Sequence, residues 1–417
     1  MNIKRDIYLQ KLIEKKHNGM IKVVTGIRRV GKTYLLFNLF YHHLIEEGVD
    51  DDHIIRLSLD DIANRDLRDS INLYEFVKSK INDPKMYYVL LDEIQFVVDF
   101  ADVLNGFLHI DNVDVYVSGS NAKFLSKDVI TEFRGRGDEI KLYPLAFSEF
   151  FEIYDGSKES AWDEYIQHGG LPAVALMQRS TDKRSYLKNL FTETYLKDII
   201  ERNHIRKDGE LEELLDIVAS QTGTLINPKK LSDTFKSVKN VSVHQDTIKK
   251  YLEYFTDSFL IEGVKRYDVK GKRYINTPMK YYFTDLGLRN ARLNYRQMEQ
   301  THLMENAIYN ELRIRGYDVD IGVVETNAKN SEGKTIKPQL EVDFVCNKSP
   351  ERLYIQSALS MPNSEKRIQE QRPYLYIKDS FKKFIIAKDI VGKWYSEEGI
   401  IMLNLYDFLL DANSLES

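Results

Sequence analysis

The stretch VVTGIRRVGKTYLL, residues 23–36, joins a β-branched run, a glycine-bounded loop and the start of an apolar helical pattern. Its loop, Gly26-Ile27-Arg28-Arg29-Val30-Gly31-Lys32-Thr33, satisfies G-x-x-x-x-G-K-[ST] at every specified position. Ile21 to Val24 predict a short strand before the loop, and Leu35, Leu36, Leu39 and Phe40 recur at helical spacing after it. Strand, loop and helix in that order are what a phosphate cradle requires. Gly26 and Gly31 let backbone N–H groups converge on an anion, and the helix adds the positive end of its dipole. The eight loop residues are therefore the expected ATP-binding set, with Lys32 reaching the β- and γ-phosphates and Thr33 placing its hydroxyl on Mg²⁺. A glycine loop that only joins a strand to a helix is the plainer alternative.

A second stretch weighs against that alternative. MYYVLLDEIQ, residues 86–95, is apolar without alternation, the mark of a strand covered on both faces, and it ends in two acids. In P-loop NTPases an acid at this place holds Mg²⁺, so Asp92 is the expected metal residue beside Thr33. Glu93 is the candidate general base that polarises an attacking water. The two stretches read as Walker A and Walker B segments of a parallel α/β sheet. A third β-rich run, VDVYVSGSNAKFL at 113–125, ends in small polar residues. From a neighbouring strand, Ser118 and Ser120 are expected to touch the nucleotide, and Asn121 to orient water or sense the γ-phosphate.

In third place after these two stretches, that run resembles the sensor strand of the AAA+ ATPases. EFRGRGDEIKLYPLAFSEF, residues 132–150, narrows the likeness: an Arg-Gly-Arg turn, a strand and Pro-Leu-x-Phe-x-Glu-Phe resemble a family of bacterial and archaeal AAA+ ATPases with a C-terminal region of unknown function. Gly169-Gly170-Leu171-Pro172 points to the same family. The resemblance implies an ATPase core over residues 1–150. It also makes Arg134 or Arg136 the candidate arginine finger, against the alternative of a surface turn.

Beyond the core, apolar residues recur at threes and fours in SYLKNLFTETYLKDIIERN and ELEELLDIVASQTG, predicting a helical lid or connector over 151–225. From Lys229 to Lys280 the chain holds 12 Lys or Arg against 6 Asp or Glu, although its formal net charge is −5. This basic segment reads helix, helix and β-ribbon, and resembles a winged helix-turn-helix over 226–297, with Ser242 or His244 opening the second helix. Lys249, Lys250, Lys270, Lys272 and Arg273 are candidates for DNA phosphates. A solvated basic face that docks on protein is the competing reading.

Residues 298–417 read helix, three strands, helix and strand, an order that resembles the restriction-endonuclease-like fold. Active members of that fold hold metal with a helix Glu, a strand Asp and a Glu-x-Lys. Glu305 and Asp343 match the first two, but Gln356-Ser357-Ala358 stands at the third, without the carboxylate and the ammonium. The domain is therefore expected to be inactive as a nuclease.

Composition sets further bounds. Cys346 is the only cysteine, so no intrachain disulfide forms. No apolar run approaches the roughly 20 residues that span a bilayer, and the first residues lack a secretory pattern. A cytoplasmic enzyme with no membrane partner is expected. Its function reads as Mg²⁺-dependent ATP binding and hydrolysis that moves a DNA-binding winged helix and a nuclease-like domain. A nucleotide-switched protein scaffold in signalling or defence, working with a protein partner or as a homo-oligomer, is one alternative. An ATP-gated nuclease is another.

Overall fold

The computed structural model describes residues 3–119, 135–206, 208–239, 241–329 and 335–416. They fall into two compact units, Met1–Pro144 with Thr256–Phe259, and Leu145–Phe255 with Leu260–Ser417.

In the first unit a sheet forms from β1 (Ile21–Thr25), β2 (Ile54–Ser58), β3 (Tyr87–Asp92), β4 (Val113–Ser118) and β5 (Gly137–Lys141). Its order is β2-β3-β4-β1-β5, and every neighbouring pair is parallel. Every residue of β1 and β3 is buried, which explains why neither reads as alternating apolar and polar. Helices Ser70–Lys80 and Phe100–Phe107 cover the sheet. Leu73, Val77, Leu104 and Phe107 close over Ile21, Val23, Val89, Leu91, Val115 and Val117. Asp69 caps the first of these helices by accepting from Ile71 N and Asn72 N, both at 3.0 Å. Because the strands run the same way, the chain leaves β1, β3 and β4 at one end of the sheet, where ligands of open α/β sheets bind.

The second unit begins with helices, among them Lys158–His168, Ser180–Asn189 and Asp208–Ser220. Its sheet uses β6 (Leu225–Ile226), β7 (Ile261–Asp268), β8 (Arg273–Phe283) and β9 (Asp318–Glu325). The chain then forms a small ribbon of β10 (Ala328–Lys329) and β11 (Thr335–Ile336). It returns to the large sheet as β12 (Gln339–Lys348), β13 (Glu351–Ala358), β14 (Lys382–Ala387), β15 (Lys393–Tyr395) and β16 (Ile401–Asn404). The order is β15-β16-β14-β13-β12-β9-β7-β8-β6.

The helices Pro228–Lys239 and Gln245–Asp257 and the β7–β8 hairpin follow the order read from the basic segment. The hairpin does not stand apart. Arg266, Tyr267 and Asp268 of β7 pair in parallel with Ile321, Gly322 and Val323 of β9, so the ribbon and the C-terminal strands share one sheet. Helix Gln300–Ile314 is fastened to this sheet through Asn306, which accepts from Phe283 N at 2.9 Å and donates to Phe283 O at 2.8 Å.

Candidate functional site

The loop after β1 owes its course to its glycines. Gly26 has φ 141° and lies against the Leu142 carbonyl, where a Cβ would collide with backbone. Ile27 and Val30 are each 1% exposed, anchoring the loop in the core, while Arg28 is half-buried and Arg29 exposed. With the apolar side chains turned inward, the loop offers its backbone amides to an anion. Gly31, at φ 100°, precedes helix Lys32–Tyr34, which continues as a π-helical stretch, Leu35–Phe40, and returns to α over Tyr41–Glu46. Wider turns of this kind recur next to functional sites.

The side chains at this end of the sheet include two buried charges, Lys32 and Asp92, beside the buried Ser118, the half-buried Glu93 and the exposed Thr33. Lys32 Nζ donates to the loop's own carbonyls, Gly26 O at 3.1 Å and Ile27 O at 3.4 Å. Burial pulls its pKa below the usual lysine value, against the pull of Glu93 and Asp92. Thr33 Oγ1 donates to Asp92 Oδ2 at 2.6 Å, and Ser118 Oγ donates to Asp92 Oδ1. Burial pushes the Asp92 carboxyl above its ordinary range, although both hydroxyl bonds favour the ionised form. The lysine and the aspartate are thus both strained toward neutrality. A phosphate beside Lys32 and a divalent cation between Thr33 and Asp92 would each relieve that strain. One carboxylate, one hydroxyl and phosphate oxygens are a donor set that suits Mg²⁺.

Glu93 follows directly, in a left-handed backbone at φ 53°. Its N–H donates to Ser118 Oγ at 3.1 Å, and its carboxylate accepts from Gln95 Nε2. Ser118 therefore bridges the two acids from the neighbouring strand. Gln95 was not among the candidates from sequence. A glutamine two positions after an acid carries no motif, and only the short 3-10 turn Ile94–Phe96 brings it back.

Arg136 is exposed, and its carbonyl accepts from Ile21 N at 2.9 Å. Gly137 pairs with Ile21 at the start of β1, whereas the phosphate loop follows Thr25 at its end. At about 3.3 Å per residue, that separates the Arg136 backbone from the loop by roughly 13 Å along the sheet. Ser120, Asn121 and Arg134 lie outside the described residues.

In the second unit, Glu305 of helix Gln300–Ile314 and Asp343 of β12 converge. Asp343 sits where the β12–β9 register shifts between Val342 and Val345, a bulge that re-aims side chains. Its Oδ2 accepts from Ser357 N at 2.8 Å, and its N–H donates to Gln356 Oε1 at 3.3 Å. Ala358 is buried. Of the basic segment, Lys249, Lys250, Lys270, Lys272 and Arg273 are exposed. Lys249 pairs with Asp246 at 3.1 Å, Arg273 with Asp268 at 3.3 Å, and Lys270 donates to Glu325 O at 2.5 Å. Lys280 departs from the expected basic face, for it is buried. Among the described residues no group of three or more His, Cys, Asp or Glu could hold a metal ion. None of their helices is long and apolar enough to cross a membrane.

Residues 18–151 match an AAA domain, and residues 159–299 match a domain of unknown function. An uncharacterized protein of Haemophilus influenzae is 32% identical over 417 residues, covering 98% of each chain. One from Methanocaldococcus jannaschii is 28% identical over 384 residues, 88% of this chain and 80% of its own. Among solved structures, the Aeropyrum pernix Orc1 protein in complex with DNA aligns with 70% of this chain and 93% of its own, at TM-score 0.31 and 11% identity.

Proposed function

From the premise that the chain belongs to the family of this Haemophilus influenzae protein and carries an AAA domain of the P-loop ATPase class, we propose that it binds Mg-ATP at the β1 loop and hydrolyses it. The observation that carries this reading is the convergence of Thr33, Asp92, Ser118 and Glu93 at the mouth of the loop. The amides of Gly26 to Gly31 and the Lys32 ammonium bind the phosphates. Thr33 and Asp92 hold Mg²⁺, which when bound neutralises phosphate charge and orients the terminal group. Glu93 accepts a proton from the attacking water, with its backbone positioned by Ser118.

Phosphate release measured with ATP and Mg²⁺ tests the proposal. Steady release that stops on chelation by EDTA is expected. Protein that binds nucleotide but releases no phosphate in any divalent salt would reduce the site to a binding module.

A second reading concerns what the cycle acts on. Lys250 and Lys272 are exposed on helix Gln245–Asp257 and at the β7–β8 tip, which supports contact with DNA phosphates in the 229–280 segment. The ion pairs of Lys249 and Arg273 reduce the charge on offer and favour, in their measure, a protein partner.

A further inference from the structure

Lys348-Ser349-Pro350-Glu351 closes an antiparallel hairpin between β12 and β13, in which Lys348 faces Glu351 and Asn347 faces Arg352. A long cation opposite a short amide lies along the sheet rather than out in water. Arg352 Nε donates to Asn347 Oδ1 at 2.8 Å, and its guanidinium carbon stands 5.3 Å from the centre of the Tyr267 ring and 5.6 Å from that of Phe381. Tyr354, two residues on and therefore on the same face of β13, donates its hydroxyl to Asp379 Oδ2 at 2.5 Å. Phe381 N donates to Asp379 Oδ1 at 3.3 Å, so one carboxylate fixes the loop that carries Phe381. The Phe381 ring is still 39% exposed.

These groups wall a recess of about 710 Å³ in the second unit, with Lys272 of the β7–β8 tip on one side and Lys348 of the β12–β13 turn on the other. Small-ligand sites run to roughly 300–1,000 Å³. The charge on the walls is unevenly spent. Asp318 is paired with Arg313 at 3.1 Å, and Asp379 holds the Tyr354 hydroxyl and faces Lys383 at 3.8 Å. Lys272, Lys348 and Arg352 form no ion pair among the described residues, which leaves Glu351 against three cations. The recess thus offers ammonium groups at its rim and a flat surface, Phe381 beside Arg352, at its wall. An acidic peptide would use the first and leave the second idle. A nucleotide with an unpaired base uses both, because every base has a face to stack and a phosphate beside it. A duplex keeps its bases inside the stack.

We infer that this recess receives an unpaired nucleotide of a single nucleic-acid strand, its base stacked on Phe381 and Arg352 and its phosphates held by Lys272 and Lys348. The inference rests on the second reading, that the basic segment meets nucleic acid, and adds a preference for strand over duplex. Lys270, Lys272 and Arg273 at the β7–β8 tip are exposed and continue the rim, so a strand leaving the recess meets further cations. Arg352, already held by Asn347 between two rings, loses little freedom when a base settles on it.

The test uses the full chain without ATP and measures anisotropy of a fluorescein-labelled oligothymidylate of about 12 residues, alone or paired with oligoadenylate. Wild type should hold the single strand more tightly than the duplex. Phe381→Ala, at a half-exposed ring, should lower strand affinity about tenfold and leave the duplex unmoved. Lys348→Glu should make the salt slope for the strand shallower by about 0.7. A strand of abasic residues should bind wild type and Phe381→Ala alike, which a general disturbance of the fold would not produce. Duplex retention with strand affinity unmoved by Phe381→Ala would overturn the inference and leave the second reading standing. No retention of either nucleic acid would remove both. Displacement of the strand by polyglutamate of equal charge as well as by unlabelled strand would overturn it in favour of an acidic protein segment, and equal displacement by thymidine monophosphate in favour of a free nucleotide.

Discussion

Lys32 and Asp92 sit about as deep as a charged side chain goes, and each is held off its ordinary pKa by the cost of that depth. The Lys32 ammonium rests on carbonyls of its own loop. Replacing it with alanine leaves those carbonyls with the helix and solvent, so Lys32→Ala should fold and yet lose most of its affinity for Mg-ATP in a calorimetric titration. Unchanged affinity would move the nucleotide elsewhere. Glu93 differs, because its carboxylate accepts from Gln95 Nε2 and it is the candidate for proton transfer. Glu93→Gln should bind ATP as before while steady-state phosphate release falls by roughly 10²-fold or more, the usual weight of a general base. Turnover equal to wild type would pass the water to another group. At this scale legibility followed sequence distance. Gly26 to Thr33 is a local pattern and could be read directly. Ser118 was named only as a possible nucleotide contact, and its bond to Asp92 spans 26 positions and depends on β4 lying beside β3.

The turn Gly169–Pro172 shows why an element can carry a family likeness without touching chemistry. Gly169, at φ 75°, lies against the Asp285 carboxylate. Gly170 N donates to Asp285 Oδ2 at 2.8 Å, and Gly170 O accepts from Leu145 N at 2.8 Å. Asp285 also caps helix Leu286–Arg292 by accepting from Leu288 N at 2.9 Å. The turn's own Gly170 carbonyl holds the segment after Pro144, and one buried carboxylate joins the turn to a helix start. Burial pushes its pKa up to about 6 from 3.8, although several backbone N–H groups favour the ion. The folded state thus holds this proton more tightly than the unfolded chain. Its contribution to stability is full below about pH 4 and is lost as pH rises to about 6, at most about 3 kcal/mol. Asp285→Asn should cost about 1–2 kcal/mol through a lost backbone bond and flatten that stretch of the stability curve, as urea midpoints at pH 4 to 7 would reveal. A slope that survives the substitution would belong to another group. The glycines could be recognised in the sequence, but their partner 115 positions away could not.

Across the whole chain the two units differ in how their charge is spent. If the exposed cations of residues 229–280 meet DNA, affinity should fall with salt at a log–log slope of about −0.9 per phosphate contacted. Lys250→Glu with Lys272→Glu should weaken binding to all sequences alike and make the slope shallower. A gel-shift series at low salt with no retention, with or without ATP, would remove DNA and leave a protein partner. Much of the order of helices and strands beyond residue 226 was legible in the sequence, but helix Leu286–Arg292, the β10–β11 ribbon, β15, β16 and helix Leu405–Leu410 were not. The sheet that unites them was not, because no local pattern encodes the pairing of Arg266 with Ile321 or the reach of Lys280 to Glu341. That pairing governs how the protein can be dissected. A truncation placed between the ribbon and helix Gln300–Ile314 looks natural from sequence, yet it would strip β7 of β9 and bare a row of unpaired amides and carbonyls beside the hairpin. An open edge of that kind recruits other chains. The fragment would go to aggregates, and a loss of activity measured on it would report stickiness rather than function.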